Sequence, residues 1–257
     1  MDATGSGWSG AKFPRCAGAH GATPVGIPAY FGPWEQRSWQ RLIADAPSIV
    51  VLNPSNGPGQ TPSLEYRSLR ESLRERGTRV LLYVHTAYLT RELKATSVDV
   101  ERSHSWFDAD GVFFDEVPVD DSRSVRSKLD QLADLSPNPC AFNAGRVVPE
   151  TWFARYPLAT FVTFEGSPDQ LAERSGVGGP SIEGPPERQW WLLHSAPKRT
   201  HADYWNSFSA LGLGFGYVTN DRLPNPWDVY AAPATYRNPK NGGVASGHAC
   251  RCIDSRP

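Results

Sequence analysis

The chain has 257 residues, with 26 Lys and Arg set against 27 Asp and Glu for a formal net charge of −1. That balance excludes a partner held by bulk positive charge, such as a nucleic-acid backbone. Hydrophobic residues at 39%, including nine Trp, eleven Phe and nine Tyr, exclude wholesale disorder, and no apolar run approaches the roughly 20 residues of a membrane-spanning helix.

Residues 1–24 are rich in Gly and Ala, lack any period of 2 or 3.6, and read as an unstructured tail. They carry neither the basic start nor the apolar stretch of a secretory signal. From there the chain repeats one pattern: apolar strand, turn, amphipathic helix, Gly stop. The strand-like runs are Ile27–Phe31, Ile49–Leu52, Val80–Val84, Gly111–Phe114, Cys140–Asn143, Leu158–Phe164, Gln189–His194 and Phe215–Thr219. Several are continuously apolar, as parallel strands covered on both faces are.

Between them, Thr61-Pro62 reads as the start of a helix whose Tyr66, Leu69 and Leu73 share a face and which stops near Gly77. Val125, Leu129 and Leu132 form a second stripe. Ser167-Pro168-Asp169-Gln170 is a capping box with Pro at the first helical position, closed by Gly176. Thr200 opens a helix with Tyr204, Phe208 and Leu211 on one side and Gly212 beyond its end. Residues 234–257 again lack periodicity and read as a flexible tail. Four Cys, at 16, 140, 250 and 252, have no familiar zinc spacing, although Cys16, His20, His248, Cys250 and Cys252 would come together if both tails folded onto each other.

Alternation of strand and helix predicts parallel pairing with right-handed crossovers. Eight units over residues 26–233 average about 26 residues each, the size of a compact (β/α)₈ barrel. A doubly wound sheet would want a Gly-rich phosphate turn after the first strand, where this chain has Gly32-Pro33-Trp34. The expectation is an α/β protein with one TIM-type barrel domain at 25–233 between tails at 1–24 and 234–257.

In such a barrel, chemistry sits at the carboxyl ends of the strands. There the sequence delivers Asn53, His85, Asp115-Glu116, Asn143, Glu165, His194 and Tyr217 in turn. Carboxylates directly after Phe113-Phe114 and after Phe164 are poorly placed for solubility. Two carboxyl groups flanking a bond are the equipment for glycoside hydrolysis, one protonated to donate to the leaving oxygen and one ionised. Apolar neighbours and mutual repulsion split their pKa values. Asn53, His85, Asn143, His194 and Tyr217 are candidate sugar contacts, and two or three of the aromatic residues Trp34, Trp106, Trp152, Trp190, Trp191, Trp205, Trp227, Tyr30, Tyr88 and Tyr217 are expected to join them. His85 and His194 with Asp115 offer a metal site as an alternative, without signature spacing.

The strings GIPAYFGP, VVLNPSNGPG, LLYVHTAY and GVFFDEV, in this order, resemble the spherulin-4-like proteins, glycoside hydrolase family 135, over roughly residues 26–230. The resemblance implies a (β/α)₈ barrel without metal or organic cofactor. It also implies endo-hydrolysis of an α-1,4-linked, N-acetylgalactosamine-containing polysaccharide of the galactosaminogalactan type. Three acids carry that activity: Asp115 and Glu116 match within Phe-Phe-Asp-Glu, and Glu165 matches by its place at the end of the sixth strand. By analogy with related barrels, Asp115 is the expected nucleophile and Glu165 the general acid/base, with Glu116 orienting substrate or tuning Asp115. The expected partner is a polysaccharide or oligosaccharide substrate, with no nucleic acid and no membrane span, bound by a monomer; family habit places it outside the cell or at its surface, while the absent signal peptide leaves the cytoplasm, or a start other than the native one, as the alternative. A non-catalytic carbohydrate-binding or sporulation-associated barrel and a metal-dependent polysaccharide deacetylase are the competing readings.

Overall fold

Eight short runs with β-branched, aromatic and Leu residues form eight parallel strands in the structure, a computed structural model that describes residues 23–136, 140–175 and 182–232. They are β1 (Gly26–Ala29), β2 (Ile49–Leu52), β3 (Arg79–His85), β4 (Gly111–Asp115), β5 (Cys140–Asn143), β6 (Thr160–Gly166), β7 (Gln189–Leu193) and β8 (Phe215–Val218). Each pairs in parallel with the next in chain order. Val25 pairs with Gly216, whose N–H donates to the Pro24 carbonyl at 3.0 Å, so the last strand meets the first and the sheet closes. The chain is a single (β/α)₈ barrel, as the alternation of elements predicts. The helices are α1 (Gln36–Asp45), α2 (Leu64–Glu75), α3 (Leu93–Phe107), α4 (Arg123–Leu135), α5 (Glu150–Arg155), α6 (Pro168–Ser175) and α7 (His201–Ala210).

Alternation along each strand sorts side chains into an inner and an outer layer. Val84, Val112, Phe114, Phe142 and Phe161 face outward into the helix ring, where Phe114, Phe142 and Phe161 stack at 5.5 and 5.8 Å. Inside, an aromatic column rises through the barrel: Trp190 meets Phe113 at 5.6 Å, Phe113 meets Tyr83 at 6.4 Å, and Tyr83 meets Tyr30 at 5.4 Å. Gly26 makes room at its base, because a Cβ there would lie 2.6 Å from the Trp190 ring. The interior is thus packed from below, and free space is left at the carboxyl ends of the strands.

Element boundaries moved where local hydrogen bonding overrode apolarity. β1 stops at Ala29 rather than Phe31 because the Tyr30 N–H bonds to the Trp227 carbonyl, 3.0 Å away, instead of continuing the ladder. β6 begins at Thr160 rather than Leu158: Ala159 still belongs to a turn bonded to Tyr156, and Arg188 donates to the carbonyls of Phe153, Tyr156 and Ala159. Helix α2 is capped by Ser63 rather than Thr61, its hydroxyl accepting the Tyr66 N–H at 3.3 Å and donating to Glu65 at 2.7 Å. The Ser167–Gln170 capping box forms as expected, with Ser167 N–H donating to Gln170 at 2.8 Å and the reciprocal bond at 3.3 Å. Gly212 beyond α7 is left-handed, φ 72°. Gly176, Cys16, Cys250, Cys252, His20, His248 and residues 1–22 and 234–257 lie outside the described residues, whereas Thr23 and Pro24, expected in the tail, are bonded to the barrel: the Thr23 N–H donates to the Ser209 hydroxyl at 3.0 Å.

Candidate active site

Asp115 is the last residue of β4 and faces inward, two residues above Phe113. Its neighbour Glu116 is left-handed at φ 59°, a conformation that costs a non-glycine residue about 1–2 kcal/mol. Thr86 at the end of β3 offsets that cost: its N–H donates to the Asp115 carbonyl at 3.0 Å and its hydroxyl to the Glu116 carbonyl at 2.8 Å. In this turn the Glu116 N–H donates to the Asp115 carboxylate, and the Tyr83 hydroxyl donates to it from β3.

Asn143, the last residue of β5, is the hinge of the site. Its side-chain oxygen accepts the Gly145 N–H at 2.9 Å, which fixes the orientation of the amide. The amide nitrogen therefore turns the other way, and its two hydrogens go to Asp115 Oδ1 and Glu165 Oε2, each at 2.7 Å. Two oxygens sharing one nitrogen at that distance lie no more than twice 2.7 Å, or 5.4 Å, apart. Gly145 must be left-handed to do this, φ 63°, and its carbonyl also accepts the Glu165 N–H at 3.1 Å. Glu165 stands inside β6 just past a bulge between Val162 and Phe164, an irregularity that re-aims the following side chains.

Trp227 completes the pair from the segment after β8. It is 3% exposed, and its indole N–H donates to Glu165 Oε1 at 3.1 Å. Burial, the largest influence on each, pushes the pKa of both carboxyl groups above the ordinary carboxylate range. The hydrogen bonds oppose the rise: among the described residues Asp115 accepts from the Glu116 N–H, Tyr83 and Asn143, and Glu165 from Asn143 and Trp227, while each also feels a neighbouring carboxylate, Glu116 for Asp115 and Asp115 for Glu165. Asp115 is thus the better-supported anion and Glu165 the better proton holder. Tyr30 and Tyr83 are raised by burial and then by the nearby Asp115, so both phenols remain donors.

Of these groups Tyr30, Tyr83, Glu165 and Trp227 line a cavity of about 340 Å³ together with Asn53, Asn56 and the run Leu223–Pro226; Asp115 and Asn143 stand behind that lining, bonded to Tyr83 and Glu165. Asn53 spends its side-chain oxygen on the Gly57 N–H, 2.9 Å away, holding the β2 loop open toward the cavity.

The remaining expected residues sit elsewhere. Glu116 is half-buried beside Asp115 and makes no side-chain bond to either member of the acid pair among those described. His85 pairs in register with Asp115, but it does not line the cavity and its Nδ1 is buried without a partner. His194 and Tyr217 flank Trp227, at 6.1 and 5.9 Å between ring centres. Tyr217 is fully buried, its hydroxyl accepting the Ala231 N–H at 2.9 Å. His194 is 7% exposed and lies 3.0 Å from the Ser195 hydroxyl, and burial keeps its pKa below the ordinary value. Neither lines the cavity; they brace the indole that reaches Glu165. Of the residues that ligate the acids, Trp227 is one of several aromatic candidates in the sequence and Tyr83, inside β3, is not among them. Among the described residues, no three or more His, Cys, Asp or Glu come close enough to hold a metal ion, and no helix is long and apolar enough to cross a membrane.

Comparison with known proteins bears on the fold and the family. No curated protein matches the chain. Among solved structures, that of Aspergillus clavatus Sph3 in complex with GalNAc is 22% identical, with a TM-score of 0.66 over 81% of this chain and 93% of the other. A chitinase from Rhizomucor miehei (TM-score 0.47, 11% identity, 78% and 97% coverage) and a mannanase catalytic domain from Streptomyces sp. SirexAA-E (TM-score 0.43, 14% identity, 85% and 84% coverage) are more remote. The model of spherulation-specific family 4 matches residues 24–236, the whole barrel. The chain belongs to that family.

Proposed function

We propose that the chain is a glycoside hydrolase that cleaves within α-1,4-linked polysaccharide containing N-acetylgalactosamine, working by double displacement. The observation that carries this is the Asn143 bridge, which holds an oxygen of Asp115 within 5.4 Å of an oxygen of Glu165. Retaining glycosidases set their carboxyl groups about 5–5.5 Å apart, and inverting ones about 6.5–9.5 Å to admit a water. The amino-sugar substrate is supported by membership of the family and by the GalNAc bound in Aspergillus clavatus Sph3.

In the first step, an Asp115 carboxylate oxygen attacks the anomeric carbon while the Glu165 proton passes to the glycosidic oxygen, which leaves with the bonding pair. A glycosyl ester on Asp115 results. In the second, Glu165, now a carboxylate, takes a proton from water whose oxygen attacks the same carbon and expels Asp115. Both Glu165 oxygens already accept hydrogen bonds, so its proton is directed at neither Asn143 nor Trp227. An α-linked leaving group lies on the same face as the 2-acetamido group, which cannot then displace it from behind. The carbonyl-assisted route is thereby closed, and an enzymic nucleophile is needed. Glu116 serves as an orienting group at the same strand end.

A non-catalytic binder has no use for two half-buried carboxyl groups bridged by one amide, an arrangement with a desolvation cost. The test is incubation with galactosaminogalactan and measurement of new reducing ends. Steady release of oligosaccharides in chelator is expected; an unchanged polymer would overturn the reading.

A further inference from the structure

Trp34 is 76% exposed, an unusual position for so large an apolar side chain. It is nevertheless held in place. A Cβ on Gly32 would lie 2.2 Å from the Trp34 ring, so the indole rests against bare backbone at that residue. The Gly32 carbonyl accepts the Glu35 N–H and the Trp39 indole N–H, each at 3.0 Å, and the Trp34 carbonyl accepts the Gln36 N–H at 2.8 Å. The result is a rigid turn presenting an indole to solvent at the carboxyl end of β1.

This turn is continuous with the candidate site. It follows directly on Tyr30, which lines the cavity and whose N–H bonds to the Trp227 carbonyl. On the adjoining β8 segment, Leu223 lines the cavity and is 69% exposed. Asp228 next to Trp227 is hydrogen-bonded to Asp221 and feels the charge of Glu35, the residue after Trp34.

We propose that Trp34 is a glycan subsite outside the cavity, taking the C–H face of a further pyranose of the chain being cleaved. The proposal rests on the hydrolase reading and extends it along the polymer. Aromatic faces and apolar C–H surfaces attract over such areas, and the free indole loses little side-chain entropy when covered.

Two readouts separate the two ideas. Affinity electrophoresis through a gel containing galactosaminogalactan measures binding; reducing-end release from the polymer and from an aryl disaccharide measures cleavage. Trp34→Ala is expected to lose most of its retardation and to show about a tenfold higher KM on polymer, with kcat and disaccharide turnover unchanged. Trp34→Phe should retain part of the effect, and Gly32→Ala, which displaces the ring, should reproduce the loss. Retardation that depends on Trp34 without cleavage would leave the subsite standing and sink the hydrolase. Cleavage with equal polymer KM and retardation in Trp34→Ala would overturn the subsite alone. Absence of both in the parent protein would overturn both.

Discussion

Asp115→Ala and Glu165→Gln are each expected to lower turnover of polymer by about 10³-fold or more, and the two losses should respond differently to azide. In Asp115→Ala the small anion fits the space left by the carboxylate and attacks the anomeric carbon directly, giving a glycosyl azide of inverted configuration. In Glu165→Gln, with an activated aryl glycoside, Asp115 still forms the glycosyl ester; azide needs no general base to resolve it, and the product keeps the substrate's configuration. The opposite pattern would exchange the two roles, and activity retained in either variant would remove that residue from the chemistry. Glu165 also carries a stability consequence. Its folded pKa is raised, so its contribution is fully present below the unfolded carboxyl value of about 4.3 and is lost as pH rises through the folded value. Glu165→Ala should therefore gain in Tm relative to the parent protein as pH increases, whatever fixed cost the missing side chain imposes.

Asn143→Ala removes a donor from both acids at once and is expected to cost about 10²-fold in kcat. Each lost bond is to an ionisable group and is worth roughly 1.5–3 kcal/mol. Both bonds lower the pKa of their acceptor, so deletion raises both groups. The ascending limb of the pH profile, which needs ionised Asp115, moves to higher pH, and so does the descending limb, which needs protonated Glu165. The whole bell therefore shifts alkaline, the two limbs belonging to the coupled pair rather than to single residues. A lowered curve with an unshifted optimum would mean that Asn143 only supports the fold.

The barrel was legible because its determinants are local. Ile49–Leu52 and Cys140–Asn143 are short apolar runs bounded by turn residues, and both form strands with the expected limits. Helices α2, α4, α6 and α7 announced themselves through stripes or caps; α1, α3 and α5 were implied only by the alternation. The acids were legible because a carboxylate after Phe-Phe or Phe is costly unless used. What the sequence hid was long-range. Trp227 reaches Glu165 across 62 residues, and nothing in the string Pro226-Trp227-Asp228 says that its N–H is spent there. Tyr83 lies within a strand, where an apolar reading of Leu-Leu-Tyr-Val is natural, and only the inward alternation turns its hydroxyl to Asp115. Tyr217 and His194 stand at strand ends and look like ligands. Their placement against Trp227 shows that a strand end also builds the support behind a site.

The central claim, that Asp115 and Glu165 are close enough for covalent double displacement, is tested most directly by the configuration of the first product. Proton NMR during the opening minutes of polymer cleavage, before mutarotation, reads the anomeric signal of the newly formed reducing end. The 5.4 Å limit between the bridged oxygens predicts the configuration of the bond that was cut, α from α. An initial β signal would mean that water attacks the anomeric carbon directly, and would contradict double displacement through Asp115.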